Sequence, residues 1–233
     1  MLYKKSLFKT SYMASVGDNC QPKPEKALEM ITLFYAKGTA ALAPHILLED
    51  AGAAYETRLV DFSAAEQQSP DYLAVNPKGR VPALVIEQGT LTETPAILAY
   101  IAQILPDANL APADPFGFAE AQAFNLYLAA TVHVNHAHKQ RGSRWTDDAA
   151  AQEKMREKVT ANMSECARII EQHYLKGPWV MGESYSMCDA YLFVITRWMK
   201  VDGVNLDDFP ALTTHFNAMQ DRPTVQKVMQ MHM

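Results

Sequence analysis

Cysteine is scarce in this sequence. Across 233 residues there are three, Cys20, Cys166 and Cys188, and they lie far apart. Neither a CxxC pair nor a Cys/His cluster occurs, so no zinc site and no vicinal dithiol is signalled. An odd, sparse set of thiols suits a reducing compartment. Long apolar runs are missing as well: no stretch is long enough to span a bilayer. The N-terminus, MLYKKSLFKTSYMASVGD, has early lysines but no apolar segment of signal-peptide length. The expectation is a cytoplasmic protein with no membrane partner. There is no basic excess either, since 21 Lys and Arg face 26 Asp and Glu for a net charge of -5. That balance argues against a general nucleic-acid partner, which needs a basic surface. Repeats and low-complexity segments are absent. What remains is an ordinary globular composition, 48% hydrophobic and 20% charged, in a chain long enough for one large domain or two modest ones.

Residues 1–29 lack periodicity and carry Gly17, Asn19, Pro22 and Pro24. They read as an extension outside the fold, or as sequence upstream of a true start at Met30. From Met30 the elements alternate. The run 31–35 (ITLFY) predicts a buried strand, a helical pattern with Leu42, Ile46 and Leu47 stops near Gly52, and 55–60 (YETRLV) predicts a half-buried strand. A helical turn covers 71–75. Strands at 81–87 and 90–92 are joined across Gln88-Gly89 as a hairpin. Thr94 reads as N-cap and Pro95 as the first position of a helix. The order β-α-β-α-β-β-α implies a small mixed sheet covered by helices over 30–106. A Pro- and Asp-rich linker follows at 107–115, and 116–233 is all helical. Helices are predicted over 118–141, 147–176, 186–200, 210–221 and 223–230, with 186–200 as the buried central one.

The segment NPKGRVPAL at 76–84, followed by LTETPAILAYIA at 91–102, resembles the glutathione-binding half of glutathione S-transferases, especially the bacterial beta-like group. The resemblance implies a thioredoxin-like N-terminal domain with a mixed four-stranded sheet plus an all-α C-terminal domain. It also implies a cis Val81-Pro82 bond that turns the Val81 backbone toward the cysteinyl part of glutathione, like an added strand. Glu93 and Thr94 match the acid and hydroxyl residue that grip the γ-glutamyl end, at a helix start suited to a carboxylate. Thr94 is equally readable as a plain cap. Arg80 reads either as a partner for the glycyl carboxylate or as a solvated surface charge.

In that family a Tyr, Ser or Cys near the first strand–helix junction favours the thiolate of glutathione. Here Ala40 stands where the beta-like group has cysteine, and Ala41 follows; neither can donate a hydrogen bond. Thr39 is the nearest hydroxyl, as thiolate partner or as helix cap. Tyr35 could reach glutathione or point into the core, and Lys37 reads as a loop charge. His133 matches a cleft-facing histidine of the group. His133 and His136 share a helix face, but no acid or cysteine at ligand spacing supports a metal. Arg141, Arg144 and Trp145 follow, and with His136 they are candidates for the second-substrate pocket. Ser186-Met-Cys-Asp189 reads as a capping box rather than a catalytic set, with Cys188 buried.

The resemblance therefore implies a transferase that adds the glutathione thiolate to small apolar electrophiles, or a related peroxidase, dehalogenase or isomerase. Glutathione would be its co-substrate, no metal would be needed, and the protein would serve detoxification as a homodimer. The missing hydroxyls at Ala40 and Ala41 leave a second reading open, a binding module with little turnover.

Overall fold

The computed structural model describes residues 30–233, so the extension expected over 1–29 lies outside the described residues. β1 (Ile31–Tyr35) alternates as the sequence predicts: Ile31, Leu33 and Tyr35 are buried, while Thr32 and Phe34 face the other side and are half-buried. α1 (Leu42–Asp50) returns the chain to β2 (Tyr55–Leu59), which pairs parallel to β1 with Leu33 opposite Thr57. After α2 (Pro70–Val75), β3 (Ala83–Ile86) and β4 (Gly89–Thr92) form an antiparallel hairpin, giving the sheet order β2-β1-β3-β4. Ile86 pairs with Gly89, so Glu87-Gln88 is the hairpin loop and Gly89, at φ +138°, opens β4. The expected Gln88-Gly89 loop is thus one residue out of register. α3 (Thr94–Ile104) completes this half.

The helical half comprises α4 (Pro115–Tyr127), a π-helical turn at Leu128–Val132, α5 (His133–Ala137), α6 (Ala149–His173), α7 (Met187–Val201), α8 (Pro210–Gln220) and α9 (Pro223–His232). The long helix expected over 118–141 is interrupted by that π turn, and a short 3-10 turn at Gly142–Arg144 follows it. A π turn rotates the residues after it relative to those before. Here it lies immediately ahead of His133.

α7 is the buried central helix: all its residues from Met187 to Met199 except Arg197 are buried. Its start is fixed by the capping box that the sequence predicts. Asp189, fully buried, accepts from Ser186 N–H at 2.7 Å, Val180 N–H at 2.8 Å, the Ser186 hydroxyl at 3.1 Å and His215 Nε2 at 3.0 Å. Every bond stabilises the carboxylate, so its burial is compensated.

α1 packs on α7 and α9, which joins the two halves. Asp50, at the end of α1, seals the junction. Its carboxylate accepts from Tyr185 at 2.6 Å, Arg222 at 2.9 Å and Thr224 at 2.5 Å. Trp198 of α7 donates its indole N–H to the Gly38 carbonyl in the β1–α1 loop at 3.2 Å. The helical domain thereby holds the β1–α1 loop in place.

Candidate functional site

The Val81-Pro82 peptide is cis. Just before it, the Arg80 carbonyl accepts two 2.6 Å bonds, from the Tyr72 hydroxyl and the Asn76 side-chain amide. Both donors sit on or just after α2, and Tyr72 and Asn76 are 4% and 1% exposed. The backbone leading into Val81 is therefore clamped from below, with Val81 itself half-buried.

Thr94 is the first helical residue of α3, which corrects its expected place as N-cap. The cap position belongs to Glu93, whose side chain makes no capping bond. Glu93 adopts φ +71° and ψ +119°, a combination that L-residues avoid. Such backbone stores roughly 1–3 kcal/mol of strain and persists where the surroundings enforce it. The Glu93 carboxylate takes a 2.5 Å bond from Lys78 Nζ, which also donates to Thr92 Oγ1 at 2.6 Å. Glu93 is 64% exposed at the side chain and Thr94 is buried beside it. No side chain caps this 11-residue helix, Pro95 has no N–H, and the Ile97 N–H donates to the Glu93 carbonyl at 3.0 Å, which leaves the Thr94 and Ala96 N–H groups at the helix start outside the intrahelical ladder. A helix start of this kind suits an anion, and the Glu93 carboxylate beside it is held by Lys78.

At the β1–α1 junction, Ala40 is 4% exposed and Ala41 fully buried, so neither the position nor its neighbour offers a donor. The Thr39 hydroxyl donates to the Ala36 carbonyl at 2.7 Å and accepts from Ala41 N–H at 3.4 Å. It braces the loop before α1, whose cap position is Ala41 and not Thr39 as a cap reading would have it, and its proton is engaged inside that loop. Tyr35 does not reach this point. It is 6% exposed and packs on His45 and His232, with ring centroids 5.9 and 4.8 Å away. The glutathione role expected of Tyr35 therefore has no geometric support. β1 has a period of two, and Tyr35 shares the core face with Ile31 and Leu33.

Across the cleft, the His133 ring lies 4.6 Å from that of Trp198, the residue that holds the Gly38 carbonyl. Arg141 Nη2 approaches His133 Nε2 at 3.3 Å. A guanidinium can only donate, so Nε2 accepts and the imidazole is neutral with its proton on Nδ1. Burial is the main reason that its pKa falls to about 3, with the positive charges of Arg141, His136, Arg144 and Arg80 adding to the effect. His133 is thus an unprotonated, already engaged ring, a poor donor to sulfur at neutral pH. His136 is engaged by the helical half: it pairs with buried Asp202 at 2.7 Å and stacks on Trp198 at 4.5 Å with ring planes 6° apart. It braces α5 against the end of α7. Trp145 is exposed and meets His138 edge-on at 4.4 Å. Burial first, and neighbouring positive charge second, lowers the proton affinity of Arg141 and Arg144, with Arg80 of the other half contributing to both.

The glutathione S-transferase N-terminal domain matches residues 29–103, and the glutathione S-transferase C-terminal domain matches 136–232. Glutathione S-transferase GstA of Escherichia coli O157:H7 is 31% identical over 197 residues, which cover 83% of this chain and 94% of that protein. The chain belongs to the glutathione S-transferase family. A glutathione transferase homolog from Sulfitobacter, solved with bound glutathione, is 45% identical. It superposes with a TM-score of 0.85 over 88% of this chain and all of that one. Maleylacetoacetate isomerase of Pseudomonas aeruginosa is 27% identical over 76% of this chain and 85% of that protein. This glutathione S-transferase carries, among its described residues, no group of three His, Cys, Asp or Glu side chains that could hold a metal ion. No described helix is long and apolar enough to cross a membrane.

Three residues of the site went unnoticed in the sequence: Tyr72 and Asn76, which clamp Arg80, and Lys78, which holds Glu93. Asn76 and Lys78 lie inside the NPKGRVPAL segment itself, so the motif contains the signal. Trp198 gave none, because a tryptophan in an apolar helix is indistinguishable from core. Cys188 is buried and its thiol pKa is raised, by burial first and by Asp189 second, in keeping with an inert thiol.

Proposed function

We propose that this glutathione S-transferase binds glutathione along Val81, Glu93 and Thr94 and adds its thiolate to a small electrophile from the helical half. The Val81 backbone pairs with the cysteinyl segment, and Pro82 fixes its approach. The Thr94 hydroxyl and the α3 N-terminus hold the γ-glutamyl carboxylate, while Glu93 takes the ammonium. The observation that carries this reading is Glu93. It keeps a costly positive φ and an ordered carboxylate at an uncapped helix start, which stability alone does not call for.

Thiolate formation rests on charge more than on a single donor. Thr39 is the one hydroxyl at the junction, and it serves the sulfur by rotating off the Ala36 carbonyl. Arg141, held beside His133, adds positive potential from the other side. The protein works as a cytoplasmic homodimer in detoxification. Exposed Phe62, Phe116 and Leu126 supply apolar surface for a second copy. The described cysteines, Cys166 and Cys188, are free and buried, in line with a reducing compartment.

Isothermal titration of glutathione into the wild type and Glu93→Ala tests the assignment. Glu93→Ala is expected to weaken binding by roughly tenfold or more, the loss of a charge-assisted contact. Equal affinities would overturn the role of Glu93.

A further inference from the structure

The cleft holds more positive charge than glutathione can neutralise. Arg80 precedes Val81 on the thioredoxin-like side. Arg141 and Arg144 lie where α5 gives way to the short 3-10 turn, on the helical side. Among the described residues none of the three is in a salt bridge with a carboxylate. Arg141's side-chain partner is neutral His133 at 3.3 Å, a contact that leaves its charge uncompensated. The Arg144 N–H donates to the Arg141 carbonyl at 3.0 Å, so the two guanidinium stems spring from one tight turn. Proteins seldom gather three like charges without a counter-ion, because each raises the cost of the next. The two aromatic rings of His138 and Trp145, in contact at 4.4 Å, supply an apolar surface beside that turn.

Glutathione brings two carboxylates, an ammonium and, once activated, a thiolate. Its γ-glutamyl carboxylate and ammonium are accommodated at Thr94 and Glu93. The glycyl carboxylate is within the province of Arg80, next to Val81. Arg141 and Arg144, on the helical side, are left without a carboxylate partner.

We propose that Arg141 and Arg144 form a receptor for a carboxylate on the second substrate, so that this enzyme prefers electrophiles with an apolar body and an anionic end. The idea rests on the proposed transferase reading of the cleft. It narrows the expected apolar electrophile to an anionic one. A planar carboxylate suits two guanidinium groups better than a spherical halide, because it can accept in-plane bonds from both. The same positive field would draw such substrates in and lower the proton affinity of the bound thiol.

The test uses a matched pair: 4-chloro-3,5-dinitrobenzoate and its methyl ester, which present the same reacting carbon with and without a charge. In each, the glutathione thiol first gives its proton to solvent. The thiolate then forms a C–S bond at the chlorine-bearing carbon, and chloride leaves with the C–Cl electron pair. Rates are corrected for the uncatalysed reaction of each compound. Wild type is expected to favour the acid over the ester in kcat/KM by roughly tenfold or more. In Arg144→Gln, whose side chain is exposed on the turn, the preference should shrink by a similar factor, with Arg144→Lys between the two. Equal corrected kcat/KM values for acid and ester in the wild type would overturn the proposal.

A second arm replaces glutathione by its glycyl ethyl ester. If Arg141 and Arg144 serve the glycyl carboxylate instead, Arg144→Gln raises KM for glutathione but not for the ester co-substrate, and leaves the acid preference as it was. That pattern also overturns the proposal. Failure of the underlying reading has a different signature, namely no glutathione binding to the wild type in titration calorimetry and no turnover of either electrophile.

Discussion

Acid should destabilise this protein through a buried pair of histidines. His45 of α1 and His232 of α9 are 1% and 3% exposed, and their ring nitrogens, Nδ1 and Nε2, meet at 2.9 Å. Their neighbours decide where the protons sit. Tyr55 donates to Glu49 at 2.7 Å, so the Tyr55 oxygen accepts from His45 Nε2–H at 3.1 Å. His45 Nδ1 is then the acceptor and His232 Nε2–H the donor. A proton added to His45 would set donor against donor. One added to His232 would go to a buried Nδ1 with no partner. Burial is the leading cause that pushes His45 down to about 4 and His232 to about 3, from 6.5. Glu49 opposes the shift at His45 and Lys227 adds to it, while His45 and Arg197 deepen that of His232.

The sign follows directly. Between about pH 6.5 and pH 4 the unfolded chain holds protons on these rings and the native chain does not. Stability is therefore full above pH 6.5 and falls with acid through that window. Integrated from pH 7.5 to 5.0, each neutral histidine accounts for about 2 kcal/mol, so the pair accounts for about 4 kcal/mol. That is a large share of the roughly 5–15 kcal/mol that holds a typical domain. Equilibrium urea unfolding at the two pH values, followed by circular dichroism, measures the loss. His45→Phe should start out less stable at pH 7.5 because Tyr55 and His232 lose their partner. It should then lose about 2 kcal/mol less than wild type on reaching pH 5.0. Equal losses in the two proteins would refute the reasoning.

Other expectations rest on separate features. Glu93→Gly relieves the positive φ and should raise stability by about 1 kcal/mol while weakening glutathione binding, a split that unfolding curves and calorimetry would read together. Thr39→Val removes the hydroxyl that accepts from Ala41 N–H and should cost about 1 kcal/mol. If Thr39 also serves the sulfur, the thiol of bound glutathione titrates at higher pH in Thr39→Val than in Thr39→Ser, as read by thiolate absorbance. Asp189→Ala strips four partners of their acceptor and should cost about 3–5 kcal/mol, enough to appear as loss of soluble protein or a steep drop in the urea midpoint.

Much of this molecule is legible in its residues taken in order. Strand β1 follows from a period of two and the α7 start from a four-residue capping box, while the proposed grip on the peptide comes from the family resemblance of the NPKGRVPAL and LTETPAIL segments. These are local signals, because a strand face, a cap or a turn is specified by residues within a few positions of one another. Even here the limits of local reading show. Thr94 looks like a cap, but the hairpin register places Glu93 there, in backbone no propensity scale favours. The chemistry beyond the grip is different in kind. That Tyr35 belongs to a histidine cluster depends on α9, nearly two hundred residues later in the chain. That His133 is neutral depends on Arg141 reaching its Nε2 after a π turn re-aimed the helix. That Arg80 of one half adds to the positive potential at Arg141 of the other depends on two domains docking through Asp50 and Trp198. Charge acts through space rather than along the chain, so the segments proposed to grip glutathione could be named from the sequence, whereas the electrostatics around His133 emerged only in the folded structure.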